Sequence, residues 1–166
     1  MSDLISRFMD VMRDEYVLHE ELLRLSEEKR EAIVEGSLPK LDGIVREEQM
    51  RIAKQREMEK RRIACVEELA RLTGKPVGEI TMLTFTEQAE PEQGGQLRQL
   101  AEKLSDTLNK LKKNNDINIR MIEGRLEYIQ CMVSSVSALQ ESNVYSARGT
   151  EQKRQEQAAK LYDKKV

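Results

Sequence analysis

The sequence is poor in several things at once. Among 166 residues it has no tryptophan, four tyrosines, two phenylalanines, one histidine, two cysteines and three prolines. So few aromatics argue against an aromatic-lined substrate cleft. The single histidine, His19, lies among acidic helix residues with no nucleophile in a fixed local motif, so nucleophilic or acid–base catalysis lacks its usual parts. A di-metal helical bundle needs Glu-x-x-His pairs and a nucleotide site needs a glycine loop, and the sequence has neither. The adjacent acids Glu20-Glu21 and Glu47-Glu48 point in different directions on a helix and cannot share a substrate. Cys65 and Cys131 have no nearby Cys or His partner and read as free thiols. No apolar run reaches the roughly 18 residues that span a bilayer, and no basic-then-apolar leader opens the chain. The expectation is a cytoplasmic protein that is not an enzyme and uses no metal or cofactor.

Charge of one sign is also missing. The net charge is −2, and acids and bases alternate along the whole chain. Even Lys60-Arg61-Arg62 and Lys112-Lys113 have acids beside them at helical spacing, so no extended field would draw nucleic acid or an anionic membrane. What remains is 35% charged residues, with Leu, Met and Gln in abundance, which is the composition of long helices. The expected fold is all-α: an elongated antiparallel bundle or coiled coil of three long helices, over residues of about 2–35, 38–72 and 97–142.

In the first helix Leu4, Phe8, Val11, Leu18, Leu22 and Leu25 recur three or four apart, and Ile5, Met9 and Met12 widen the stripe near its start. Gly36 offers a helix stop and Ser37 with Pro39 a restart, which predicts a tight helical hairpin. The second helix carries Leu41, Val45, Ile52, Val66 and Leu69 on its seam, interrupted by Glu48, Gln55, Glu59 and Arg62. Folding about Gly36 brings residues whose numbers sum to roughly 73 to one level, so Glu15 comes near Glu59 and Arg62. A Glu15–Arg62 ion pair at the seam is the expectation, with outward snorkelling of both side chains as the alternative.

Residues 73–96 contain six of the eleven Gly and Pro residues and form a connection. Its middle, with Ile80, Met82, Leu83 and Phe85, is apolar enough to lie on the bundle as a turn or short helix. The third helix has an apolar stripe from Leu97 to Leu139 broken only by Asn115, Asn118 and Arg125. Such a polar layer either penalises shifted registers or loosens the bundle where it sits. Beyond it a second row, Ile119, Leu126 and Val133, makes the face wide. That face is either bundle core or a groove for a partner helix. Residues 143–166 form a polar tail, mobile or conditionally helical.

The chain resembles the FlgN-like flagellar export chaperones. The likeness is carried by "LHEELLRLSEEKREAIVEGSLPKL", "IVREEQMRIAKQREMEKRRIACVEELARLTG", a Thr-bearing connection, "KKNNDINIRMIEGRLEYIQ" and "VYSARG". The resemblance implies a cytoplasmic chaperone that holds hook-filament junction proteins by their C-terminal helical segments until the type III export apparatus takes them. Carried onto this sequence, the client site is Ile119, Ile122, Leu126, Ile129, Val133, Val136, Leu139, Val144 and Tyr145. Competing readings are a coiled-coil adaptor or weak homodimer pairing through the same wide face, and a secretion chaperone with another client.

Overall fold

Among the described residues every element is helical, and several of the helix boundaries have a local cause. The computed structural model describes the backbone of residues 1–162 and the side chains of residues 1–137, and no strand occurs among the described residues. Helix α1 spans Ser2–Glu35 and ends at Gly36, whose φ of 73° is a left-handed conformation that glycine adopts without strain. Two residues later α2, Leu38–Thr73, begins with a proline in its first turn, and it ends at Gly74 in the same left-handed form.

The connection is more ordered than three helices and a linker would require. A 3-10 turn, Val77–Glu79, leads to α3, Met82–Gln88, so there are four α-helices among the described residues rather than three. Thr81 caps α3: its hydroxyl accepts from the Thr84 amide, and the Thr84 hydroxyl accepts from the Thr81 amide in return. Helix α4, Pro91–Tyr162, starts ahead of the point where the apolar stripe begins, and its backbone continues through the polar segment after residue 142. Proline at its first position and Glu92 in its first turn suit a helix start. Gly94 permits a close approach there, since a Cβ would sit 3.1 Å from the Thr86 carbonyl oxygen near the end of α3, tighter than an ordinary contact.

The chain divides into two units, Met1–Met121 and Ile122–Val166. Within the first unit α1 and α2 are antiparallel. Arg7 meets Glu68 at 2.8 Å, Arg61 meets Asp14 at 3.1 Å and Lys29 meets Glu48 at 2.5 Å, so level residues have numbers summing to about 75. The proximal part of α4 runs parallel to α1. Arg13 donates to Gln96, Thr107 to Glu20, and Asn114 and Asn118 to Ser26, in the same order along both helices. The core gathers at one end, where Leu4, Ile5, Phe8, Met9 and Met12 of α1 meet Cys65, Leu69, Phe85, Leu97 and Leu104. Phe85 closes that end by stacking on Phe8, with ring centroids 3.7 Å apart.

Because α4 returns beside α1, α1 is covered on two sides and buries residues along nearly its whole length. In α2, by contrast, no residue between Leu38 and Ala64 is buried. Over its described residues, to Tyr162, the second unit is the remainder of α4.

Candidate functional site

Three features of the surface and interior bear on function. The first is the apolar stripe of the second unit. Leu126, Ile129, Met132, Val133 and Val136 follow one another at helical spacing and are 52% to 60% exposed. Ile122 is half-buried and Arg125 is exposed. Ile119, in the first unit, is also exposed. Leu139, Val144 and Tyr145 lie outside the residues whose side chains are described. A contiguous row of aliphatic side chains on a lone helix is the kind of exposed apolar surface that marks a protein-binding site.

The second feature is a polar layer between α1 and α4. The buried Asn118 donates through Nδ2 to the Ser26 carbonyl at 2.8 Å. Asn114 donates to Ser26 Oγ at 3.1 Å and accepts from Arg30 Nη2 at 2.5 Å. Asn114 and Asn118 are four residues apart and share a face, whereas Asn115 is half-buried beside them. The sequence pattern placed Asn115, Asn118 and Arg125 in one layer; the residues brought together are Asn114, Asn118, Ser26 and Arg30. A strict four-three count assigned the seam to Asn115, and Ser26 and Arg30 carried no signal until α4 was known to run parallel to α1.

The third is a groove of about 390 Å³ between α2 and α4, floored by Phe8, Met12, Glu15 and His19 of α1. Glu59, Arg62 and Val66 form one wall and Leu104 and Leu108 the other. Arg62 binds both oxygens of Glu59 and places its Nε 3.5 Å from Glu15 Oε1. Burial pushes the Glu15 carboxyl up from the usual carboxylate range, more than Arg62 pulls it back. His19 Nδ1 lies 2.7 Å from the Glu15 carbonyl oxygen, one turn back on its own helix, so its ring is spoken for locally. Cys65 is buried and its thiol is pushed up by desolvation, away from reactive thiolate. No group of three or more His, Cys, Asp or Glu among the described residues has the arrangement of a metal site. No described helix is long and apolar enough to cross a membrane.

Comparison with known proteins gives the same chain a context. A family model described as FlgN protein matches residues 1–153. An uncharacterized protein of Bacillus subtilis (strain 168), YvyG, is 29% identical over 150 residues, covering 90% of this chain and 91% of its own length. No solved structure matches.

Proposed function

The chain belongs to the FlgN family, and from that premise we propose that it is a flagellar type III export chaperone of the cytoplasm whose clients are the hook-filament junction proteins. In this reading the distal half of α4 receives an amphipathic C-terminal helix of the client, and the chain acts by binding alone, without catalysis, cofactor or nucleic acid. The exposed row from Leu126 to Val136 carries the proposal, because it offers aliphatic side chains at helical spacing to a partner of the same periodicity. Each fully buried Leu, Ile or Val contributes roughly 1.5–3 kcal/mol before the cost of ordering both partners. Binding of this kind is firm and still reversible, as a carrier that must release its cargo requires. Ile122, half-buried, extends the row within the second unit.

Titration with C-terminal peptides of the junction proteins tests the reading. Ile129→Asp and Val133→Asp, at solvent-exposed positions, are expected to leave the first unit folded and to weaken peptide binding at least about tenfold, the equivalent of roughly 1.4 kcal/mol. Unchanged affinity in both folded variants would remove this face from the client site.

A further inference from the structure

The groove between α2 and α4 lies wholly within Met1–Met121, so its geometry does not involve the stripe of the second unit. Along its α1 floor the lining passes from Phe8 and Met12 to Glu15 and His19, from an apolar end to a polar one. We propose that this groove is a binding site for a cation on an apolar stem, a guanidinium or an ammonium group, the chemistry shared by an arginine or lysine side chain of a partner protein and a free alkyl amine or guanidine.

Two acceptors on α1 point to that chemistry. Glu15 is only 7% exposed, yet its carboxylate accepts no hydrogen bond among the described residues. Its contact with Arg62 Nε, at 3.5 Å, is longer than the two bonds of 2.7 Å by which Arg62 Nη2 holds Glu59. His19 is 5% exposed, and the bond to the Glu15 carbonyl engages only one of its ring nitrogens. A carbonyl oxygen can only accept, so Nδ1 carries the proton, and in the neutral ring Nε2 is a lone-pair acceptor. That Nε2 has no hydrogen-bond partner among the described residues. Residues 15 and 19 are one turn apart on α1, so both acceptors serve the same groove. A largely desolvated acceptor without a donor is costly, and a ligand that brings several N–H groups removes that cost.

Charge and shape agree with this. The charged residues lining the groove are Glu15, Glu59 and Arg62, two carboxylates against one guanidinium. Burial pushes the Glu15 carboxyl up more than Arg62 pulls it back, so a second cation beside it gains from a carboxylate that is only partly neutralised. An anion would meet uncompensated negative charge at the same place. The volume of about 390 Å³ suits a discrete group rather than a whole helix. Met12, Val66 and Leu104 offer contact to an alkyl stem, and Leu108, 42% exposed, offers apolar cover to whatever carries the cation.

None of these residues belongs to the stripe, so the site and the client reading stand or fall separately. His19 is the only histidine of the chain, and its ring Cε1–H resonance therefore reports on the groove without ambiguity in the untagged full chain. Hexylguanidinium, titrated at constant pH, is expected to shift that resonance saturably with a Kd near or below about 1 mM, an ordinary efficiency for its size. Heptanoate, with the same six-carbon stem and the opposite charge, is expected to bind at least about tenfold more weakly. Glu15→Gln is expected to weaken hexylguanidinium at least about tenfold, and Arg62→Gln, which frees both carboxylates, to tighten it about threefold or more. Opposite effects of the two substitutions separate recognition from a general disturbance of the bundle, and helicity by circular dichroism checks that both variants are folded. The source is read from a short alanine–leucine helix carrying one arginine: if it shifts the resonance at lower concentration than hexylguanidinium, and its Arg→Gln version does not, the cation belongs to a partner protein. Binding of hexylguanidinium alone assigns the site to a small amine or guanidine. No saturable shift, equal binding of heptanoate, or an affinity that folded Glu15→Gln leaves unchanged overturns the proposal.

Discussion

Ser26 and the side chains around it determine what α4 can tolerate against α1. Its hydroxyl donates to the Leu23 carbonyl at 2.6 Å and accepts from Asn114, while its own carbonyl accepts from Asn118. Asn118 Oδ1 and Arg30 Nε are buried and have no hydrogen-bond partner among the described residues. An incompletely satisfied buried network costs more than an apolar contact of the same shape. Asn118→Leu is therefore expected to raise stability by about 1 kcal/mol in urea unfolding, as the orphaned acceptor disappears. Unaltered or reduced stability would show that the amide is fully satisfied in solution and serves alignment without penalty.

Glu15 gives a second prediction at this scale, with a sign that differs from most carboxylates. Its folded-state pKa is raised, so the folded protein holds the proton more tightly than the unfolded chain does. The ionised form is thus a liability that is absent at low pH and grows as pH rises through the raised value. Arg62 offsets part of it, yet its side chain is 38% exposed and already bound to Glu59, so the Glu15–Arg62 coupling is of surface size, about 0.5 kcal/mol. Glu15→Gln is expected to be more stable relative to wild type at pH 7 than at pH 4. A stability difference that is flat between the two, or larger in acid, contradicts the burial-dominated account.

At the scale of elements, the hairpin of α1 and α2 was the most legible part of the sequence. Gly36, Ser37 and Pro39 specify a stop and a restart within four positions, and two antiparallel helices leave only one register near a constant sum. The direction of α4 was not legible, because a connection of that length reaches either end of the bundle. Helix α3 was legible as a turn or short helix lying on the bundle, but not its bounds, because its Thr81–Thr84 capping box replaces the usual acidic partner by a second threonine. Phe85 belongs to the apolar middle of the connection, which the sequence pattern lays on the bundle without saying what it touches. Its ring stacks on Phe8 and is buried among Leu4, Leu69 and Leu97 in one cluster, so a helix of seven residues holds both the end of α2 and the start of α4. Phe85→Ala is expected to destabilise the first unit by about 3–5 kcal/mol. A loss below about 1 kcal/mol would mean that α3 lies on the bundle without closing it.

At the scale of the whole molecule, stability and recognition are assigned to different lengths of chain. Every member of the main apolar cluster, from Leu4 to Leu104, belongs to Met1–Met121. So do the ion pairs between α1 and α2 and the polar layer at Ser26. The stripe from Leu126 to Val136 is spread along a single helix in the other unit, and a lone helix gains little in water from exposing aliphatic side chains. A chain ended after Met121 should consequently keep the cooperative unfolding of the bundle, with a monomer stability within about 1 kcal/mol of the full chain, and should lose client binding altogether. Comparison is made at one matched, dilute concentration, because any association between copies would add a concentration-dependent increment. Matching urea midpoints under that condition, with binding abolished, locate the scaffold and the binding helix as separate parts. A truncated chain that unfolds far more easily would instead make the distal helix part of what holds the bundle together, and its exposed stripe would then need a structural explanation before a functional one.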